Sequence, residues 1–418
     1  MIQKTNIVID GYYGAGNMGD ESILSSILQS IKETYSSSTT IVFSKNPAET
    51  IYLHEVDSIF RSCFNKYFLG TKFLNIWKSI RNANLVLIGG GGLLQDVHNN
   101  LTIPCFLHTA LLAKIMNKPL IFHSIGVGPL NKDISKYIVR SVCNISDLIT
   151  VRDQYSLKLL ESIGVENVPI TVVCDPVFGL KPVNKEVSKK ILLEEGVPFN
   201  KPLVGISLRH INWFKIGDNE ILQFLNYLID IYNVNILFIP FGSEGSPTDM
   251  EVSMRIANNM KKNTFILTKK YTPSEMMGII GHLDFLVGMR LHSLIMSSVM
   301  NVPALGICYL PKVKSVMDQL GYTDEHTINT PEQLSFDELK QKFDTIVKNE
   351  QNIKKTINEC VLNLQEKTIK PADLLLNVKN NDLSRINILS VVIKYFYGLF
   401  VLSLCEVKDL FQRIYFNS

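Results

Sequence analysis

Short β-branched runs alternate with longer polar–apolar stretches along most of the chain, and no other feature narrows the fold as much. The runs NIVID, TIVFSK, NLVLIGGGG, PLIFHSIGVG, DLITVRD and ITVVCDP are separated by helical stretches such as IPCFLHTALLAKIMN and KYIVRSVCNIS. Strands that are apolar on both faces and separated by helices predict a parallel sheet covered on both sides. The series pauses at VFGLKPVNKEVSKKILLEEGVPFNKP, which holds three prolines and a run of charge, then restarts with PLVGISLR, NILFIPFG, TFILTK, DFLVGMRLHS and VPALGICY. A chain of 418 residues is long for one core. The expectation is therefore an α/β protein with two doubly wound, Rossmann-like domains at residues 1–180 and 201–330, facing a cleft. A helical segment at 331–375 would pack back on them, and an apolar tail fills 376–418. In open α/β sheets ligands sit at the carboxyl ends of the strands, so the cleft is the expected site.

Composition narrows the function classes. The net charge is +3 and the basic residues are interspersed with acidic ones, so no stripe suggests nucleic acid. Seven cysteines are scattered and never spaced C-x-x-C, which argues against a disulfide scaffold or a zinc site and for a reducing compartment. The first residues run directly into a strand without an apolar signal core, so the body reads as cytoplasmic.

The stretch GYYGAGNMGDES contains Gly14-x-Gly16-x-x-Gly19 after a strand, the spelling of a dinucleotide turn. Asp20 and Glu21, however, occupy the electropositive start of the next helix, where a pyrophosphate would lie. The following strand ends in Ser44 and Lys45, with no acid for a ribose. A nicotinamide site is disfavoured. The remaining readings are a tight turn capped by Asp20, or a turn lining a sugar-bearing site.

Polar residues gather at other strand ends. GGGGLLQD offers Gly89 to Gly92, Gln95 and Asp96, four glycines favouring close approach of backbone amides to a ligand. His123, Ser124, Arg152, Asp153 and Asp175 follow, each with a structural reading as cap or ion-pair partner. In the second half, Arg209 and His210 end a strand, and Gly242, Ser243, Glu244 and Asp249 share a loop. GMRLHS sets Arg290, His292 and Ser293 where a strand becomes a helix, so that dipole, guanidinium and imidazole converge on an anion. A lone histidine there would read as core; Arg290 beside it favours function. Lys312 and Lys314 follow the next strand.

Eight motifs in order, GYYGAGNMGDESIL, LIGGGGLLQD, SIGVGPL, VRDQYSLKLL, DPVF, SLR, VGMRLHSLIMS and VPALGICYLPKV, resemble the polysaccharide pyruvyl transferases, especially the cell-wall type. The resemblance runs from Asn6 to about Leu320 and leaves out the tail after Lys370. It implies a metal-independent enzyme of GT-B-like fold with no cofactor and phosphoenolpyruvate as co-substrate. It also implies that Arg290, Leu291 and His292 match the family's donor-site Arg-Leu-His motif. The glycine-rich turn keeps a single asparagine, Asn17, where the family's turn is more polar.

The residues suit that chemistry. Phosphoenolpyruvate carries a phosphate and a carboxylate, which Arg290, Arg209, Arg152 and Lys312 could hold with Leu291 at the helix start. His292 is the expected general acid and base. Asp20, Asp96 or Asp175 would orient or deprotonate sugar hydroxyls, with Gly14, Gly16, Asn17, Gly91, Gly92 and Gln95 lining the acceptor side. Two alternatives stay open. One is a glycosyltransferase using a nucleotide sugar, for which Glu275 could hold the ribose; the other is an inactive scaffold of the same fold. The run Ile386 to Cys405 is almost wholly apolar, but Lys394 at its centre disfavours a bilayer-spanning helix. A helix in the membrane interface and a helix packed on the body remain, the first placing a lipid-linked glycan acceptor near the site at the inner face of the cell membrane.

Overall fold

The structure is a computed structural model that describes residues 5–35, 37–61, 71–97, 102–210, 218–243, 247–260, 264–329, 334–368 and 388–416, the side chains of the last segment only to Leu402. It divides into two compact units. Unit 1 comprises Met1–Gly14, Ser26–Pro176 and Thr368–Ser418, and unit 2 comprises Ala15–Ser25 and Val177–Lys367. The chain thus leaves unit 1 for eleven residues near its start, a path that no stretch of the sequence announces. The expected boundary near residue 180 lies close to the change at Pro176 and Val177, and the helices after residue 331 count with unit 2.

Unit 1 is built from β1 (Asn6–Asp10), α1 (Met18–Thr34), β2 (Thr39–Ser44), α2 (Pro47–His54), β3 (Asp57–Phe60), α3 (Thr71–Asn82), β4 (Leu85–Leu94), α4 (Thr102–Ile115), β5 (Leu120–Val127), α5 (Asp133–Cys143), β6 (Leu148–Val151), α6 (Gln154–Ser162) and β7 (Ile170–Val172). The first turns of α1 count with unit 2. The seven strands are parallel in the order β3-β2-β1-β4-β5-β6-β7. Every residue of β5 is buried, as a central strand covered by helices on both faces requires.

Unit 2 repeats the pattern with α7 (Lys185–Glu194), β8 (Leu203–Ser207), α8 (Asp218–Tyr232), β9 (Asn235–Phe238), α9 (Asp249–Ala257), β10 (Thr264–Ile266), α10 (Pro273–Ile280), β11 (Phe285–Gly288), α11 (Leu291–Val299), β12 (Ala304–Ile307), α12 (Pro311–Gln319), β13 (Thr327–Ile328), α13 (Phe336–Lys348) and α14 (Glu350–Glu366). Its parallel sheet runs β10-β9-β8-β11-β12-β13. Both sheets start at an inner strand, wind outward, return and wind the other way. The reversal falls between β1 and β4 in unit 1 and between β8 and β11 in unit 2, and in such sheets it opens a crevice at the carboxyl ends.

The tail helix α15 (Ile388–Phe416) belongs to unit 1 and packs on α4 and α5. Tyr395 is fully buried and its hydroxyl donates to the Pro104 carbonyl at 2.8 Å. Gly398 lets Ile138 of α5 approach where a Cβ would collide with it. Among the described residues no helix is long and apolar enough to cross a membrane.

Candidate functional site

The switch point of unit 2 brings Arg209 and Arg290 together. Register pairs Ser207 of β8 with Gly288 of β11, so Arg209 and Arg290, each two residues farther on, stand level at neighbouring strand ends. Arg209 Nη1 donates to the Tyr309 hydroxyl at 3.1 Å, beyond β12, with its guanidinium 5.8 Å from that ring. Arg290 is the N-cap of α11 but makes no capping hydrogen bond with its side chain. His292 and Leu291 form the first turn of this helix, whose electropositive amino end directly follows the carboxyl end of β11.

Arg290 is not a bare anion receptor. Its Nε and Nη2 donate side-on to the Asp249 carboxylate at 2.8 and 2.6 Å. Asp249 opens α9 and is almost wholly buried, and its Oδ2 also accepts from the Phe241 amide at 3.2 Å. The pair is neutral, so Asp249 fixes the guanidinium's orientation and leaves Nη1 outside the fork. Sequence spacing places Asp249 in its loop, but THR-ASP-MET-GLU at 248–251 reads as a helix start, which it is: Thr248 and Glu251 form a capping box.

The N-terminal glycine turn enters this site. Asn17 bridges Gly242 in antiparallel fashion, Met18 N–H donates to the Phe241 carbonyl at 2.8 Å, and Ser243 N–H donates to Gly16 at 2.9 Å. The glycines fit protein neighbours. Gly16, at φ 74°, faces Ser243; Gly19 faces the His292 ring; and Gly242 faces the Arg290 guanidinium, each so closely that a Cβ would collide. Gly14, at φ 68°, belongs to unit 1 and lies against Ser44 and the Asn46 amide. The dinucleotide spelling thus serves close packing, with His292 one of the groups packed.

Asn17, not Asp20, caps α1. The helix begins at Met18, so Asn17 Oδ1 accepts from the Gly19 amide at 3.1 Å while its Nδ2 donates to Asp20 at 2.6 Å. Asp20 falls in the first turn, next to the glycine that touches His292. Lys312 lies exposed in the first turn of α12. Lys314 is held by Asp318 and by Asp324 at 3.0 Å. Glu275, the candidate ribose acid, spends its Oε2 on the amide and hydroxyl of Thr272 in a capping box at 2.8 and 2.9 Å. His210 ends the described segment, and Glu244 lies outside the described residues.

The other candidates stand in unit 1. Arg152 packs against Gly126, whose Cβ would lie 2.9 Å from Nε, and pairs with Asp153 at 3.5 Å and Asp175 at 3.6 Å. Asp153 caps α6 through the Ser156 amide at 2.7 Å. Asp96 accepts from the Asn131 and Lys132 amides at 2.8 to 3.0 Å, fixing the turn before α5. Gln95 Nε2 donates to the Gly92 carbonyl at 2.8 Å. The four glycines continue β4 as an irregular strand rather than a loop after it, with Gly90 and Gly91 at φ 60° and 80°. Gly89 accommodates buried Tyr13, whose hydroxyl donates to the Gly89 carbonyl at 2.8 Å.

One pair at the unit 1 switch point escaped sequence reasoning. Arg61, just past β3, donates to Asp10 at 2.7 Å with its guanidinium 4.5 Å above the Phe106 ring. Burial pushes the Asp10 carboxyl above the ordinary value of 3.8 although Arg61 opposes it. Among the described residues no cluster of three His, Cys, Asp or Glu side chains could hold a metal ion.

Two Rossmann-like units with parallel sheets define a GT-B-like fold, and solved structures share it. Anabaena HepE with UDP-glucose is 11% identical over 89% of this chain and 97% of its own, with a TM-score of 0.58. A glycosyltransferase from Rickettsia africae is 16% identical over 90% of this chain and 100% of its own, at 0.58. S. aureus MnaA with UDP is 12% identical over 91% of this chain and 98% of its own, at 0.62. No curated protein matches in sequence. The family model for polysaccharide pyruvyl transferase matches residues 17–310, and the chain belongs to that family. It is accordingly a transferase of polysaccharide biosynthesis.

Proposed function

We propose that the protein transfers the pyruvyl group of phosphoenolpyruvate to a sugar of a surface or cell-wall polysaccharide, or of its lipid-linked precursor, forming a pyruvate ketal. The observation that carries this reading is the placement of Arg209 and Arg290 level at the unit 2 switch point, with His292 in the first turn of α11. Two guanidinium groups and a helix amino end match a ligand with a phosphate and a carboxylate. Lys312 adds charge at the start of α12, and Leu291 supplies an apolar wall. Arg152, held in unit 1 by Asp153 and Asp175, is assigned to positioning those carboxylates.

In this mechanism His292 protonates the methylene carbon of phosphoenolpyruvate, leaving positive charge on the neighbouring carbon. One sugar hydroxyl adds there and returns a proton to His292. The carbon–oxygen bond to phosphate breaks, and a second hydroxyl closes the ketal as its proton leaves with the phosphate. Asp20 is the better placed of the candidate carboxylates to orient a hydroxyl near His292, because Gly19 touches that ring whereas Asp96 is committed to backbone amides. Gly91, Gly92, Gln95 and Asp175 stay assigned to the acceptor, and no cofactor or metal takes part in this scheme.

A second reading, transfer from a nucleotide sugar, is favoured by the UDP-bound neighbours of the same fold. Thermal denaturation separates the two. Phosphoenolpyruvate should raise the melting temperature and UDP-glucose should not; stabilisation by UDP-glucose alone would overturn pyruvyl transfer. His292→Ala should abolish ketal formation on a purified glycan, read by mass spectrometry.

A further inference from the structure

We propose that the outer face of α15 docks the protein on a lipid bilayer, with the helix lying in the headgroup boundary. The described part of α15 has two apolar faces. Val391, Tyr395 and Leu402 are 8% exposed or less and pack on unit 1. On the opposite side Leu389, Ile393, Phe396, Tyr397 and Phe400 are each 46–67% exposed. Among the described residues, large apolar side chains elsewhere are exposed singly or in small numbers, whereas these five share one stripe of a single helix.

The sequence sustains the outer pattern and abandons the inner one. The outer spacing continues apolar through Leu404, Val407, Phe411 and Ile414, while the spacing of Val391, Tyr395 and Leu402 passes to Glu406, Asp409 and Arg413.

The breadth of the stripe selects the occupant. A partner helix takes a narrow seam of alternating three- and four-residue steps, with charges on its flanks. Here exposed Tyr397 lies beside the line of Leu389, Ile393, Phe396 and Phe400, which widens the apolar arc and makes it aromatic, as at a membrane boundary. Charge agrees: Lys394 is the sole charged residue of segment 388–402, and segment 385–413 carries four cations against two acids. Partly exposed Lys394 can extend its ammonium to anionic headgroups while its stem lies along the helix.

Flotation of the full chain with phosphatidylcholine vesicles containing phosphatidylglycerol tests this. The protein should rise with the vesicles, and Ile393→Ser/Phe396→Ser/Phe400→Ser should lower the bound fraction at least tenfold. Those residues are exposed, so the variant should keep its melting temperature and its transfer to a soluble glycan. Failure of the parent protein to float overturns the proposal, as does equal flotation of the variant. A lipid-free dimer that the variant converts to monomer, without flotation, would assign the stripe to a second copy instead.

Discussion

Arg290 and Asp249 form a nearly buried pair, and removal of one partner strands the other's charge. Asp249→Ala should destabilise unit 2 by about 3 kcal/mol and abolish transfer, because the freed guanidinium loses its orientation. Arg290→Lys should fail as well, since an ammonium cannot reproduce the side-on fork. Gly19→Ala poses the sharper question at this scale. Helix propensity favours alanine by up to about 1 kcal/mol, yet its Cβ would press on the His292 ring. The expected outcome is a melting temperature near the parent's with at least tenfold lower kcat. Unchanged kcat would remove His292 from the chemistry or show that its ring is free to move. The position of Arg290 and His292 at a strand-to-helix turn was legible in the sequence, because an apolar strand run ends at Gly288 and helical spacing begins directly after it. Asp249 and Gly19 were not, since their importance lies in contacts with residues far along the chain.

At the scale of elements, α7 is tied to the loop after β10 by one carboxylate. Glu195 accepts from the Thr268 hydroxyl at 3.0 Å, the Lys269 amide at 3.2 Å and the Tyr271 hydroxyl. Burial pushes its carboxyl up, but the hydrogen bonds from Tyr271 and Thr268 outweigh burial and hold it below the ordinary value of 4.5. Its stabilising contribution is therefore fully present above that value and is lost as pH falls through the depressed one. Thermal melts of Glu195→Gln should show a shallower loss of stability below pH 4.5 than the parent. A second element-scale test concerns α15: Tyr395→Phe removes the hydrogen bond to Pro104 and should cost about 1 kcal/mol by urea denaturation. Sequence spacing left α15 between membrane and body because a two-faced helix satisfies both patterns. It also placed Gly89 to Gly92 after a strand, whereas they lie within β4, since glycine lacks the side chain that signals a strand.

For the whole molecule, the strand–helix alternation made both parallel sheets legible, because their strands are apolar on both faces. The excursion of Ala15–Ser25 into unit 2 was not legible: its partners, Phe241 to Ser243 and His292, lie more than two hundred residues away, and no local period encodes such a contact. That excursion carries a consequence for ligand binding. If phosphoenolpyruvate binds at the amino end of α11, the ligand must quiet the glycine turn together with α11, because the turn's Gly19 abuts His292 and its Met18 is bonded to Phe241. Hydrogen exchange should therefore show slowed amides in peptides covering residues 15–25 and 288–294 at the same ligand concentration. Protection confined to the segments around Gly11 and Gly89, at the unit 1 switch point, would move the donor site out of unit 2. Protection of 288–294 alone would leave α11 as the anion site and remove Asp20 from the reaction.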